Sequence, residues 1–90
     1  KPDPEIYNLL TEELRISHSE GLAIEDSSNG IKAALTANIS CVAVPSDFTR
    51  AGVHKLPTND NLRVVDNPPD LLETVKEFIS EINSDEEGVN

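Results

Sequence analysis

Apolar residues along the chain follow two different patterns. Near the start, Ile6, Leu9, Leu10 and Leu14 recur at helical spacing, while Glu12, Glu13 and Arg15 face outward. The stretch KPDPEIYNLLTEELRI therefore predicts a helix, with Pro4 in its first turn and Asp3 as N-cap. A polar SHSE loop follows. The pattern then changes to short continuous apolar runs. GLAIE, from Gly21 to Glu25, suits a strand buried on both faces. SCVAVPS, from Ser40 to Ser46, reads as a second buried strand stopped by Pro45, and LRVVD, from Leu62 to Asp66, as a third. Between the first two strands, SSNGIKAALTAN predicts a helix from about Ser28 to Ala37, with Asn38 as its left-handed C-terminal residue. The segment before the third strand is irregular, with one helical turn near Thr49 to His54. A last helix begins near Pro69 and carries Leu71, Leu72, Val75, Phe78, Ile79 and Ile82 on one face.

Alternation of this kind, with fully apolar strands, implies an α/β fold: a parallel sheet of about three strands with flanking helices. The 90 residues suffice for one small domain, expected over 1–83, followed by an acidic, disordered tail at 84–90. Hydrophobic content of 37% and charged content of 27% fit a globular chain. Seventeen acids against 7 bases give a net charge of −10, which argues against nucleic acid or an anionic membrane as partner. The single cysteine, Cys41, excludes an intrachain disulfide and reads as an inert core thiol. With no signal peptide and no apolar run of spanning length, a cytoplasmic setting is expected.

The candidate chemistry lies in GLAIEDSSNGIKAA, where an apolar strand ends in two adjacent acids, Glu25 and Asp26. Ligands of open parallel sheets bind at the carboxyl ends of strands, and the N–H groups of a following helix favour anions. Paired carboxylates there suit a hard cation such as Mg²⁺ beside a phosphate. Plainer roles fit the same residues: Asp26 or Ser27 as a helix cap, and Glu25 as an exposed strand-end residue. KPDP, Lys1 to Pro4, adds a lysine on proline-bounded backbone, suited to an anion or equally to an ordinary surface position. His18 and His54 read as isolated surface histidines, and Asp47 and Arg50 as loop residues near the sheet end.

Taken together, KPDPEIY and AIEDSSNGIKAA resemble the third and fourth motifs of the haloacid dehalogenase-like hydrolases. The branch most similar is that of β-phosphoglucomutase-like enzymes and sugar phosphatases, with K-P-x-P-[DE]-x-[FY] followed by E-D-S-x-x-G-x-x-A-A. The resemblance implies a partial Rossmann-like sheet and phosphoryl transfer from small phosphate esters through an aspartyl-phosphate. It implies that Lys1 stabilises the nucleophile and the transferring phosphoryl group, that Glu25 and Asp26 hold Mg²⁺, and that Ser27 supports them from behind. Gly30 would permit close packing, and Ala33 and Ala34 would let their helix lie on the sheet.

The family's nucleophile motif, D-x-D-x-[TV], does not occur in the sequence. The substrate-recognising cap and the Ser/Thr motif are not found either. The expectation is a C-terminal half of a core domain, inactive alone, and the start on Lys1 rather than Met fits truncation of a longer protein. The first strand would then be an unpaired apolar edge, open to self-association or to a separate N-terminal half. A non-catalytic interaction or regulatory domain derived from this fold is the alternative. A phosphoacceptor receiver-like domain fits less well, because its lysine comes late in the chain.

Overall fold

The structure, a computed structural model, describes residues 3–88. Helix α1 (Glu5–Leu14) leads through a 3₁₀ turn (His18–Glu20) into β1 (Leu22–Glu25). Then come α2 (Ser28–Thr36), β2 (Ser40–Ala43), the short α3 (Arg50–His54) and β3 (Leu62–Val64). A second 3₁₀ turn (Pro68–Asp70) opens into α4 (Leu71–Gly88), whose backbone continues past Ser84. The strands form one parallel sheet in chain order, β1-β2-β3, with Ala23 opposite Cys41 and Cys41 opposite Leu62. The expected α/β architecture of a small parallel sheet flanked by helices is present.

Two small cores lie on either side of the sheet. On one face Ala23, Cys41 and Ala43 pack against Ile31, Ala34 and Ala37 of α2 and its end, with Val53 of α3. On the other, Val42 and Val65 pack on Phe78 of α4, with Leu71, Val75 and Ile82 around it. The small side chains Ala33 and Ala34 are both buried, which lets α2 lie close to the strands. α2 ends as expected in a left-handed Asn38, φ 62°. Asn38 N–H donates to the Leu35 carbonyl and Ile39 N–H to the Ala34 carbonyl, which satisfies two carbonyls that the helix end would otherwise orphan.

Four expectations need correction. Asp3 is not the N-cap of α1; Pro4 holds that position, and the Asp3 carboxylate accepts from Glu5 N–H at 2.9 Å instead. The apolar stripe of α1 does not face the core. Ile6, Leu9, Leu10 and Leu14 are 48% to 64% exposed, and the helix docks through the flank that carries Tyr7 and the buried Thr11. Nor is β1 buried on both faces: Ala23 is covered but Ile24 is 54% exposed, because β1 is the sheet edge and α4 lies over β2 and β3. On α4, Leu72 and Ile79 are exposed while the narrower stripe Leu71, Val75, Phe78 and Ile82 meets the sheet.

Candidate functional site

The carboxyl edge of the sheet begins at Glu25. The end of β1 is fixed there by Val44 N–H, which donates to the Glu25 carbonyl at 2.8 Å. Two residues later Ser27, in extended conformation, caps α2: its hydroxyl accepts from Gly30 N–H at 3.3 Å. The strand therefore delivers two carboxylates, and the next residues turn the first N–H groups of a helix toward the same edge.

The two acids differ in their surroundings. Asp26 is exposed, whereas Glu25 is half-buried. The Tyr7 hydroxyl of α1 donates to Glu25 Oε2. Behind the carboxylate lies Gly30, where an added Cβ would stand 2.7 Å from Glu25 Cδ. Glycine at this position is thus a matter of space rather than backbone conformation. Burial raises the Tyr7 hydroxyl above the usual tyrosine range, and the hydrogen bond to Glu25 and the charge it carries raise it further. Tyr7 consequently stays a neutral donor, the state that suits an ionised carboxylate.

Both carboxylates present hard oxygen donors, and one hydrogen bond from Tyr7 leaves most of the lone-pair capacity of Glu25 free. That chemistry fits Mg²⁺. Among the described residues no three acidic, histidine or cysteine side chains gather closely enough to hold a metal by themselves. The pair is therefore at most part of a coordination shell. Lys1 lies outside the described residues.

A second polar cluster occupies the same edge of the sheet beyond β3. His54 Nε2 lies 2.8 Å from Asp66 Oδ1, Arg50 Nε donates to the same oxygen at 3.3 Å, and Arg50 Nη1 donates to Asp47 Oδ1 at 2.8 Å. The His54 hydrogen bond, ahead of the contribution from Arg50, holds the Asp66 carboxyl below its ordinary value. His54 is thus not isolated, and Asp47 and Arg50 bind each other and Asp66. The group ties α3 to the end of β3. His18 has a partner as well. Its Nδ1–H donates to the Ala37 carbonyl, which can only accept, and so braces the end of α2. Cys41 is fully buried, and burial pushes its thiol up to about 12, with the Glu25 charge adding to the effect.

Sequence reasoning found Glu25, Asp26, Ser27 and Gly30 at their positions on the strand end and helix start. It missed the link from Tyr7 to Glu25. The signal available was the aromatic position of KPDPEIY, whose hydroxyl had no assigned use.

Known proteins match the part of the chain that contains these residues. The family described as Haloacid dehalogenase-like hydrolase matches residues 1–44. Protein CbbY of Cereibacter sphaeroides is 42% identical over 50 residues, 56% of this chain and 22% of its own length. CBBY-like protein of Arabidopsis thaliana is 43% identical over 49 residues, 54% of this chain and 15% of its own. "Putative phosphatase YhcW" of Bacillus subtilis (strain 168) is 49% identical over 49 residues, 54% of this chain and 22% of its own. The matched region spans less than a quarter of each of these relatives. No solved structure matches the chain. No helix among the described residues is long and apolar enough to cross a membrane. Through the residues that build the carboxylate edge, the chain is similar over 1–44 to the haloacid dehalogenase-like hydrolases.

Proposed function

We propose that the chain supplies the C-terminal half of the core of a Mg²⁺-dependent phosphohydrolase or phosphomutase that acts on small phosphate esters, sugar phosphates foremost. The observation that carries this reading is the placement of Glu25 and Asp26 at the carboxyl end of a parallel strand, directly ahead of the capped start of α2. In this reading Glu25 and Asp26 hold the cation, and Lys1 offsets charge on the phosphoryl group. Ser27 keeps the first turn of α2 in place behind them. Bound Mg²⁺ would supply charge stabilisation at the transferring phosphoryl group. An aspartate nucleophile must come from outside these 90 residues, since they contain no D-x-D-x-[TV]. The chain alone is therefore expected not to turn over substrate.

The partner expected at the β1 edge is a strand-bearing N-terminal half. The unpaired edge of β1 supports this, as does the apolar cleft beside it, lined by Tyr7, Leu10, Leu14, Ile16, Leu22 and Ile39. The α1 stripe continues the same surface. These exposed apolar residues also support the second reading, a non-catalytic interaction domain derived from the fold.

The test is an assay for phosphate release from a panel of sugar phosphates with Mg²⁺. The 90 residues alone should give none. Joined to an N-terminal half that carries D-x-D-x-[TV], they should release phosphate, and Asp26→Asn in the joined protein should remove most of that activity. Turnover by the chain alone, or full activity of the Asp26→Asn protein, would overturn the reading. An inactive joined protein whose halves nevertheless bind each other favours the interaction domain.

A further inference from the structure

We propose that Tyr7 is a positioning residue for Glu25, setting the orientation in which that carboxylate meets a divalent cation. The inference rests on the metal-binding reading of Glu25 and extends it to a residue on a different element. Three restraints converge on Glu25. The main chain is held by Val44 N–H, Gly30 provides a floor without a side chain, and the Tyr7 hydroxyl takes Oε2 from the α1 side. Remove the hydroxyl and the carboxylate keeps its place on the strand but loses the only described side-chain donor that fixes its rotation. A freely rotating carboxylate pays conformational entropy on binding a cation, whereas a held one has paid it already.

The docking of α1 supports the same point. This helix leaves its apolar stripe in solvent and seats Tyr7 and Thr11 against the rest of the molecule. The flank chosen is the one that delivers a hydroxyl to Glu25. A phenylalanine at position 7 would fill the same space and donate nothing, so Tyr7→Phe removes the restraint while keeping the packing.

Tyr7 is also the only tyrosine, and there is no tryptophan, so the intrinsic emission of the protein reports on the Glu25 contact. The experiment is a titration with MgCl₂ of the 90-residue chain, its Tyr7→Phe variant and its Glu25→Gln variant. Amide chemical shifts of Glu25 and Asp26 give Kd, which NMR reads even when binding is weak, and tyrosine emission is followed in parallel. The expected result is that emission and the Glu25 amide shift follow one isotherm. Tyr7→Phe should raise Kd about tenfold, in line with the loss of a group that orients a metal ligand, with the rest of the amide spectrum unchanged. Glu25→Gln should silence the emission change. A Glu25 response with flat emission, or an unchanged Kd in Tyr7→Phe, overturns the positioning role and leaves the metal reading intact. Silence at both Glu25 and Asp26 in every protein overturns the two together.

Discussion

Gly30 gives the sharpest test of how the carboxylate edge is built. An alanine there improves helix propensity in the first turn of α2, a gain of up to about 1 kcal/mol. Its Cβ, however, would sit 2.7 Å from Glu25 Cδ, so the Glu25 side chain must swing away. Glu25 is flexible at that end, and the move costs little except the bond from Tyr7. A hydroxyl–carboxylate bond contributes about 1.5–3 kcal/mol when shielded, and the half-buried setting puts this one near about 1.5. Gly30→Ala should therefore destabilise the wild-type chain by about 0.5–1 kcal/mol. In a Tyr7→Phe background there is no bond left to lose, so the same substitution should be neutral or stabilising by up to about 1 kcal/mol. The assay is urea unfolding of the four proteins of this cycle, followed by far-UV circular dichroism. A coupling of about 1.5 kcal/mol and a change of sign between backgrounds are expected. Equal effects in both backgrounds, within about 0.5 kcal/mol, would refute the clamp.

Other consequences can be checked separately. Ser27→Ala removes the side-chain acceptor of Gly30 N–H and should cost about 1 kcal/mol in the same unfolding assay, since a lost N-cap typically does; no loss would mean that the cap contributes nothing. Because burial holds the Cys41 thiol protonated far above neutral pH, an alkylating reagent should modify it only as fast as the protein opens, and denaturant should release the reaction. Rapid labelling of the folded chain would contradict the packing of β2. Asp66 is depressed in the folded state, so its contribution is present above its ordinary value of 3.8 and fades as pH falls through the lower folded value. His54→Ala should move the Asp66 carboxyl titration, read by carbon NMR, up toward that ordinary value; an unmoved curve would assign the depression to Arg50.

The alternation of strands and helices was legible because buried strands need unbroken apolar runs, and LAIE and SCVA have them. Asn38 was legible because few residues accept a left-handed backbone. The placement of Glu25 and Asp26 was legible because an apolar run stops at them and a capped helix follows, although that pattern serves a helix cap as well as a cation. What the pattern cannot carry is the identity of the neighbour. Periodicity says that Ile6, Leu9, Leu10 and Leu14 share a face, but not that this face lies away from the sheet. Ile24 looks like a core residue until the topology puts its strand at an edge. The contacts of Tyr7 with Glu25 and of His54 with Asp66 join separate elements, so no local spacing announces them. Arg15, left-handed at φ 56°, ends α1 with Ile16 N–H bonded to the Thr11 carbonyl, at a residue type that gives no such warning.

The order of the sheet has a consequence for the path by which the molecule assembles. Each strand pairs with its nearest neighbour in the chain, and each crossover is completed by α2 or α3 before the next strand is needed. Little loop entropy is spent before the first native contacts repay it, which favours early closure of β1, α2 and β2 around Ile31 and Cys41. Phe78 and Tyr7 belong to the terminal helices and join that nucleus from its two sides. The Glu25 carboxylate gains its tyrosine only when α1 docks, so the candidate site needs that helix as well as the central strands to be finished.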